Sequence, residues 1–169
     1  MYKALGIALV FLSLGILTYK KVEAKREHLI NLKEFRKALL VLKNEMSFSI
    51  PEVPLLCEKV SSQTVGEISS VFKNIGKIVS NDSGITFLEA WNEATKEKEL
   101  FTARAEKEVL DFLKGFGKKT LEIELESIKR TQNVLDIMTE EENDIFQRDK
   151  KLTYALGTAV GLVIVILTI

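Results

Sequence analysis

Apolar and polar positions along this chain follow long helical periods, and nowhere do they alternate as a strand would. Ala4 to Tyr19 is predominantly apolar and closes on Lys20, Lys21, Lys25 and Arg26. Leu152 to Ile169 is its mirror image, eighteen residues without a charge, entered through Arg148, Lys150 and Lys151. An uncharged helix of that length, rising about 1.5 Å per residue, reaches most of the way across a hydrocarbon layer of about 30 Å. The pattern predicts two membrane spans, over 1–21 and 152–169, with a domain over 22–151 between them.

Inside that domain the helical period persists. Val22, Leu29, Leu32, Phe35, Leu39, Leu42 and Met46 recur mostly at steps of three and four, which makes one face of a helix over 22–48. Pro51 ends it, and Pro54 suits the first turn of a short helix over 53–61. A broad apolar face from Val65 through Ile68, Val71, Phe72, Ile75, Ile78 and Val79 predicts a third helix over 65–80. Asn81-Asp82-Ser83-Gly84 is a turn by composition. Thr86 with Glu89 then reads as a capping box opening a short helix that contains Phe87, Leu88, Ala90, Trp91 and Ala94. Another helix runs from a Thr102 cap through Ala105, Val109, Phe112 and Leu113 to a break at Gly115-Phe116-Gly117. From Thr120 no glycine or proline intervenes until Gly157, so the last helix of the domain and the second span form one element. The fold class is all-α: an antiparallel bundle of about six helices between two spans.

Composition changes this picture little, because a hydrophobic share of 46% averages two lipid-facing stretches with a densely charged middle. With the spans set aside about 130 residues remain, the usual size of one domain. The 24 basic and 24 acidic residues balance, which argues against nucleic acid as a partner. The basic flanks after the first span and before the second put the middle in the cytoplasm, with only Lys3 opposing. Cys57 is the single cysteine, a small buried hydrophobe in a chain that cannot form an internal disulfide. Val22-Glu23-Ala24 would pass as a signal-peptide cleavage site, but Lys20 and Lys21 put charge between the apolar stretch and that cut. The first span is therefore expected to stay as an anchor.

Charge also relates the first and last helices of the domain. Lys20 to Glu45 holds eight basic and four acidic residues, whereas Glu122 to Asp149 holds three basic and nine acidic. The last helix carries Leu121, Leu125, Ile128, Leu135, Met138, Ile145 and Leu152 at near-heptad spacing. Laying the two helices antiparallel from their membrane ends brings Lys33, Arg36 and Lys37 close to Asp136 and Glu140. Each exposed pair contributes less than about 1 kcal/mol, so charge sets register while apolar burial supplies stability.

Candidate chemistry is sparse. His28 follows Glu27 in the manner of sensor kinases, yet no glycine-rich ATP-binding boxes accompany it, and it reads as a solvated helix position. One histidine and one cysteine far apart offer no metal site. Gly115-Phe116-Gly117-Lys118-Lys119-Thr120 imitates a phosphate loop, but Phe112 and Lys119 stand where a glycine and a Ser or Thr are required; it reads as a helix end and turn. Glu140, Glu141, Glu142 and Asp144 point in different directions around a helix and do not converge on a substrate. Trp91 and the phenylalanines are expected in the core. No catalytic residue, cofactor or metal is predicted, and the chain is read as no enzyme.

The order of several pieces resembles one family. They are Glu45-Met46-x-Phe48 before the Pro51/Pro54 break, Phe87-x-x-Ala90-Trp91-x-x-Ala94, Leu113-x-x-Phe116-Gly117, and Leu156-Gly157 with Gly161-Leu162 in the last span. In that order and spacing the chain resembles the stage III sporulation protein AB family over essentially its whole length. It departs after Phe116-Gly117, where Lys118-Lys119-Thr120-Leu121-Glu122-Ile123-Glu124 stands in place of a Leu-Gly and an Asp. The resemblance implies a two-pass protein of the mother-cell membrane facing the forespore, part of the apparatus connecting the two cells. It also implies a helical domain similar to the cytoplasmic domains of inner-membrane platform proteins in type II secretion and type IV pilus machines. Such platforms are not enzymes; they meet a cytoplasmic secretion-type ATPase and couple it to other membrane subunits.

Bundle geometry then puts the turns at Ser49 to Glu52 and Gly115 to Lys119 at a tip about 40 Å from the bilayer. Ser49, Glu52, Lys118 and Lys119 are the candidate partner-facing residues. Gly157 and Gly161, at Gly-x-x-x-Gly spacing, are candidates for close helix packing in the span, against lipid-embedded subunits or a second copy of this chain. The rival reading is a membrane-anchored signalling or sensory module, which would need an extracytoplasmic sensing segment or an output domain.

Overall fold

The computed structural model describes the backbone of residues 2–49, 51–82 and 84–168, and the side chains of 20, 22–49, 51–82, 84–157 and 159. Within that range the chain forms six helices: α1 (Tyr2–Phe48), α2 (Val53–Gln63), α3 (Gly66–Asn81), α4 (Phe87–Ala94), α5 (Ala103–Gly115) and α6 (Leu121–Thr168). No strand occurs among the described residues. The helices expected from periodicity are all present, with ends displaced by a residue or two. The first and last are continuous helices of 47 and 48 residues. The side chains over 4–19 and over most of 152–169, where the two spans are expected, lie outside the described residues. Among the described residues no helix is long and apolar enough to cross a membrane.

Contacts divide the chain into two compact units, Met1–Glu27 with Glu141–Ile169, and His28–Glu140. The first contains the outer parts of α1 and α6, tied by an ion pair between Lys25 and Asp149. Beside it Arg26 Nη1 donates to Glu23 Oε1 at 2.8 Å. Ile145 and Leu152, expected on the buried seam of α6, are exposed here.

The second unit holds the core. Leu32, Phe35, Leu39 and Leu42 of α1 are fully buried, as are Ile128 and Leu135 of α6. The four of α1 follow the predicted steps of three and four and the two of α6 stand a heptad apart, and each fully buried aliphatic or aromatic side chain contributes about 1.5–3 kcal/mol relative to exposure. Phe35 lies at the centre of an aromatic cluster: its ring is 5.4 Å from Trp91 and 5.7 Å from Phe101, both edge-on, and 6.5 Å from Phe72. The cluster reaches the α5–α6 turn through Phe87, 5.0 Å from Phe116. Edge-to-face geometry of this kind adds to the burial because ring quadrupoles attract.

Polar groups inside the unit fasten the connections. Asn31 of α1 is buried and its Nδ2 donates to the Leu100 carbonyl at 3.0 Å, holding the α4–α5 link. The backbone N–H of Val65, the residue before α3, donates to Glu34 of α1 at 2.9 Å. Thr86 and Glu89 form the predicted capping box at α4. Thr102 stands at the N-cap of α5 as expected, but its side chain makes no cap hydrogen bond there. Val65, assigned to the apolar face of α3, is instead its N-cap and exposed, because extended backbone turns it out of the helical period.

Candidate functional site

The turn between α5 and α6 is built from an unusual support. Gly117 adopts φ +80°, a conformation that side-chain-bearing residues rarely enter, and it reverses the chain after α5. Phe116 packs inward on Phe87 and on Phe112, 5.4 Å away, and anchors the reversal. The backbone N–H groups of Lys118 and Lys119 both donate to Glu124 Oε1, each at 3.2 Å. Glu124 lies one turn into α6 and is buried, so a single carboxylate satisfies two donors that the turn would otherwise leave without a partner. The side chains of Lys118 and Lys119 are exposed. Lys119 folds back over Gly115, its Nζ 3.2 Å from where a Cβ would stand.

Lys118 also faces the start of α4. The Glu89 carboxyl is held below the usual carboxylate range, first by the hydrogen bonds from Thr86, side chain and then backbone, and in smaller part by the Lys118 charge. Thr86 donates to Glu89 Oε2 through its N–H at 2.8 Å and its hydroxyl at 2.7 Å.

Ser49 and Glu52 belong to the connection between α1 and α2. Both are exposed. Ser49 N–H closes the last turn of α1 on the Glu45 carbonyl at 3.1 Å. Glu52 is the N-cap of α2 by position, without a side-chain cap, and borders a cleft of about 600 Å³ between α2 and α3 that Lys73 and Lys77 also line. Among the described residues no hydrogen bond or ion pair links this pair to Lys118 or Lys119. A Cβ built at Gly157 meets nothing within 4 Å, so no part of this chain's described residues approaches it closely. Gly161 lies among the residues whose side chains are not described.

The predicted register between first and last helices leads to a third place. Arg36 forms a two-pronged ion pair with Asp136, its Nη2 at 3.2 Å from Oδ2. Around this pair α1 and α6 enclose a groove of about 690 Å³, lined by Lys33, Lys37, Leu40 and Lys43 of α1 and by Lys129 and Glu140 of α6. Sequence reasoning found Lys33, Arg36, Lys37, Asp136 and Glu140; it missed Lys43 and Lys129, which come into the groove one or two turns farther along each helix. It also missed Glu124, because a carboxylate among Leu121, Leu125 and Ile128 gives no sign in the sequence that it turns back to the preceding loop.

Among the described residues no three His, Cys, Asp or Glu side chains come together to share a metal ion. No buried side-chain nitrogen or oxygen there lacks a hydrogen-bond partner. The fold and these surfaces define an all-helical protein whose exposed features are charged turns and grooves between helices.

The chain belongs to the stage III sporulation protein AB family, whose sequence model matches residues 3–169. Membership gives it a part in the sporulation apparatus. A solved structure described as stage III sporulation protein AB (SpoIIIAB) is similar in fold, with a TM-score of 0.64 at 14% identity, covering 72% of this chain and 97% of that one. No curated protein matches the sequence.

Proposed function

We propose that this chain is a non-enzymatic platform subunit of the sporulation apparatus between mother cell and forespore. In this reading two terminal spans hold it in the mother-cell membrane, its helical bundle docks a cytoplasmic secretion-type ATPase, and the spans assemble with other membrane subunits. The observation that carries the reading is that α1 and α6, which supply the centre of the bundle core, are each one continuous helix extending into an apolar terminal stretch. The same two helices that build the core thus carry the apolar stretches that this reading places in the membrane. The family match includes both terminal stretches.

The test uses the full chain in lipid nanodiscs, titrated with the secretion-type ATPase from the same organism while ATP turnover is followed. Saturable binding with a Kd of about 10 µM or tighter supports docking. No binding up to about 100 µM overturns it and leaves a membrane scaffold. Protease protection in sealed vesicles tests the sidedness: cleavage between Lys25 and Lys150 from the cytoplasmic side is expected, and protection from that side would overturn the cytoplasmic placement of the bundle.

A further inference from the structure

The groove between α1 and α6 in the unit His28–Glu140 carries more positive charge than helix register requires. Five basic side chains and two carboxylates line it. Arg36 is already paired with Asp136, which leaves Lys33, Lys37, Lys43 and Lys129 facing the single remaining carboxylate, Glu140. Lys129 is the informative member. It is one of only three basic residues against nine acidic ones between Glu122 and Asp149. An acid at that position would relieve the lysines of α1 across the groove; a fourth ammonium opposes them instead. Net charge for the whole chain is zero, so the concentration is local and not a by-product of a basic protein. Leu40, 47% exposed, adds an apolar contact among the lysines.

We propose that this groove seats an acidic amphipathic helix of the partner protein. From Lys33 to Lys43 the α1 wall rises about 15 Å, the length of about ten helical residues. Carboxylates spaced three or four apart on such a helix meet the lysines, and one apolar side chain between them meets Leu40. Asp136 and Glu140 within the groove repel a continuous phosphate backbone or an anionic lipid surface, which disfavours nucleic acid and membrane as occupants. The platform reading supplies the partner: the acidic helix belongs to the ATPase. The groove thus becomes the principal docking surface, in preference to the turn at Lys118 and Lys119.

The experiment compares four full-length proteins in phosphatidylcholine nanodiscs: wild type, Lys33→Glu/Lys37→Glu, Lys43→Gln/Lys129→Gln and, as control, Lys118→Glu/Lys119→Glu. Matching circular dichroism and thermal midpoints establish that each is folded. Binding of the ATPase is measured at 50 and 300 mM NaCl. The expected result is loss of affinity by about ten-fold or more for the charge-reversed groove, a smaller loss for the neutralised one, and a change below about two-fold for the control. The groove variants should also lose part of the salt dependence. Wild-type binding that the groove variants retain in full overturns the groove and leaves the platform reading standing. Absence of binding by wild type overturns both. A groove variant that loses retention on single-stranded DNA or phosphatidylserine nanodiscs, while its affinity for the ATPase is unchanged, assigns the site to another anion and overturns the protein partner.

Discussion

At Gly76 the helices α2 and α3 come so close that a Cβ would stand 3.2 Å from Cys57 Cβ and 3.5 Å from the Pro54 carbonyl oxygen. Neither neighbour can rotate away, since one is a Cβ and the other backbone. Gly76→Val is therefore expected to lower stability by about 1–3 kcal/mol, read as a shift in urea midpoint; an unchanged midpoint would mean that the two helices separate freely. The same contact closes Cys57 from solvent. Burial pushes its thiol from the usual value near 9.0 up to about 12. Thiolate is the reactive form, so a thiol reagent at pH 8 should leave the native chain unmodified and label one group per chain in urea. The alkaline sign follows. The neutral thiol is favoured in the fold, so its contribution is complete below pH 9.0 and declines as pH rises toward about 12. Cys57→Ala should flatten that part of the stability profile, and an identical profile would remove the linkage.

Short elements depend on their ends. Glu124 joins α6 to the preceding turn by accepting from Lys118 and Lys119, and it does so while buried. Glu124→Ala leaves both N–H groups short of a partner and should cost about 1–3 kcal/mol in thermal or urea unfolding, whereas Glu124→Gln keeps an acceptor and should cost less. Equal losses for the two would show that the carboxylate acts by filling space alone. At α4 the Glu89 carboxyl is lowered by its Thr86 hydrogen bonds, so the capping box contributes above the usual carboxylate range and is lost as pH falls through and below it. The sequence made this box legible because its two members stand three residues apart and bond locally. It made α1 and α6 legible because Leu32, Phe35 and Leu39, or Ile128 and Leu135, repeat with the helical period. It could not show Asn31 or Glu34 reaching to distant backbone, since their partners are set by how the helices pack, nor Glu124 turning back on Lys118 and Lys119, since that depends on the path of the turn. Nor could it show that the α6 seam, buried at Ile128, Leu135 and Met138, gives way to exposed Ile145 and Leu152.

For the chain as a whole, two kinds of force act on the α1–α6 pairing, and they respond differently to salt. Apolar burial by Leu32, Phe35, Leu39, Ile128 and Leu135 is indifferent to ionic strength, while the exposed Arg36–Asp136 pair sits in solvent that screens it. Raising NaCl from about 0.01 to 1 M shortens the Debye length from about 30 to about 3 Å. Among the described residues every buried apolar side chain lies between Leu29 and Met138, so a fragment over 22–150 retains that core and should fold without the terminal stretches. Its urea unfolding should change by no more than about 1 kcal/mol across that salt range, and a double-mutant cycle on Arg36 and Asp136 should give a coupling of similar size. Leu32→Ala or Leu135→Ala should cost about 2–5 kcal/mol at either salt concentration. A fragment that unfolds at high salt would reverse the assignment, making charge the force that holds α1 to α6. The lysines of the groove would then be needed for folding. If stability is salt-independent while partner binding is salt-dependent, the groove charges serve recognition, and the acidic helix they are expected to meet must lie on another protein.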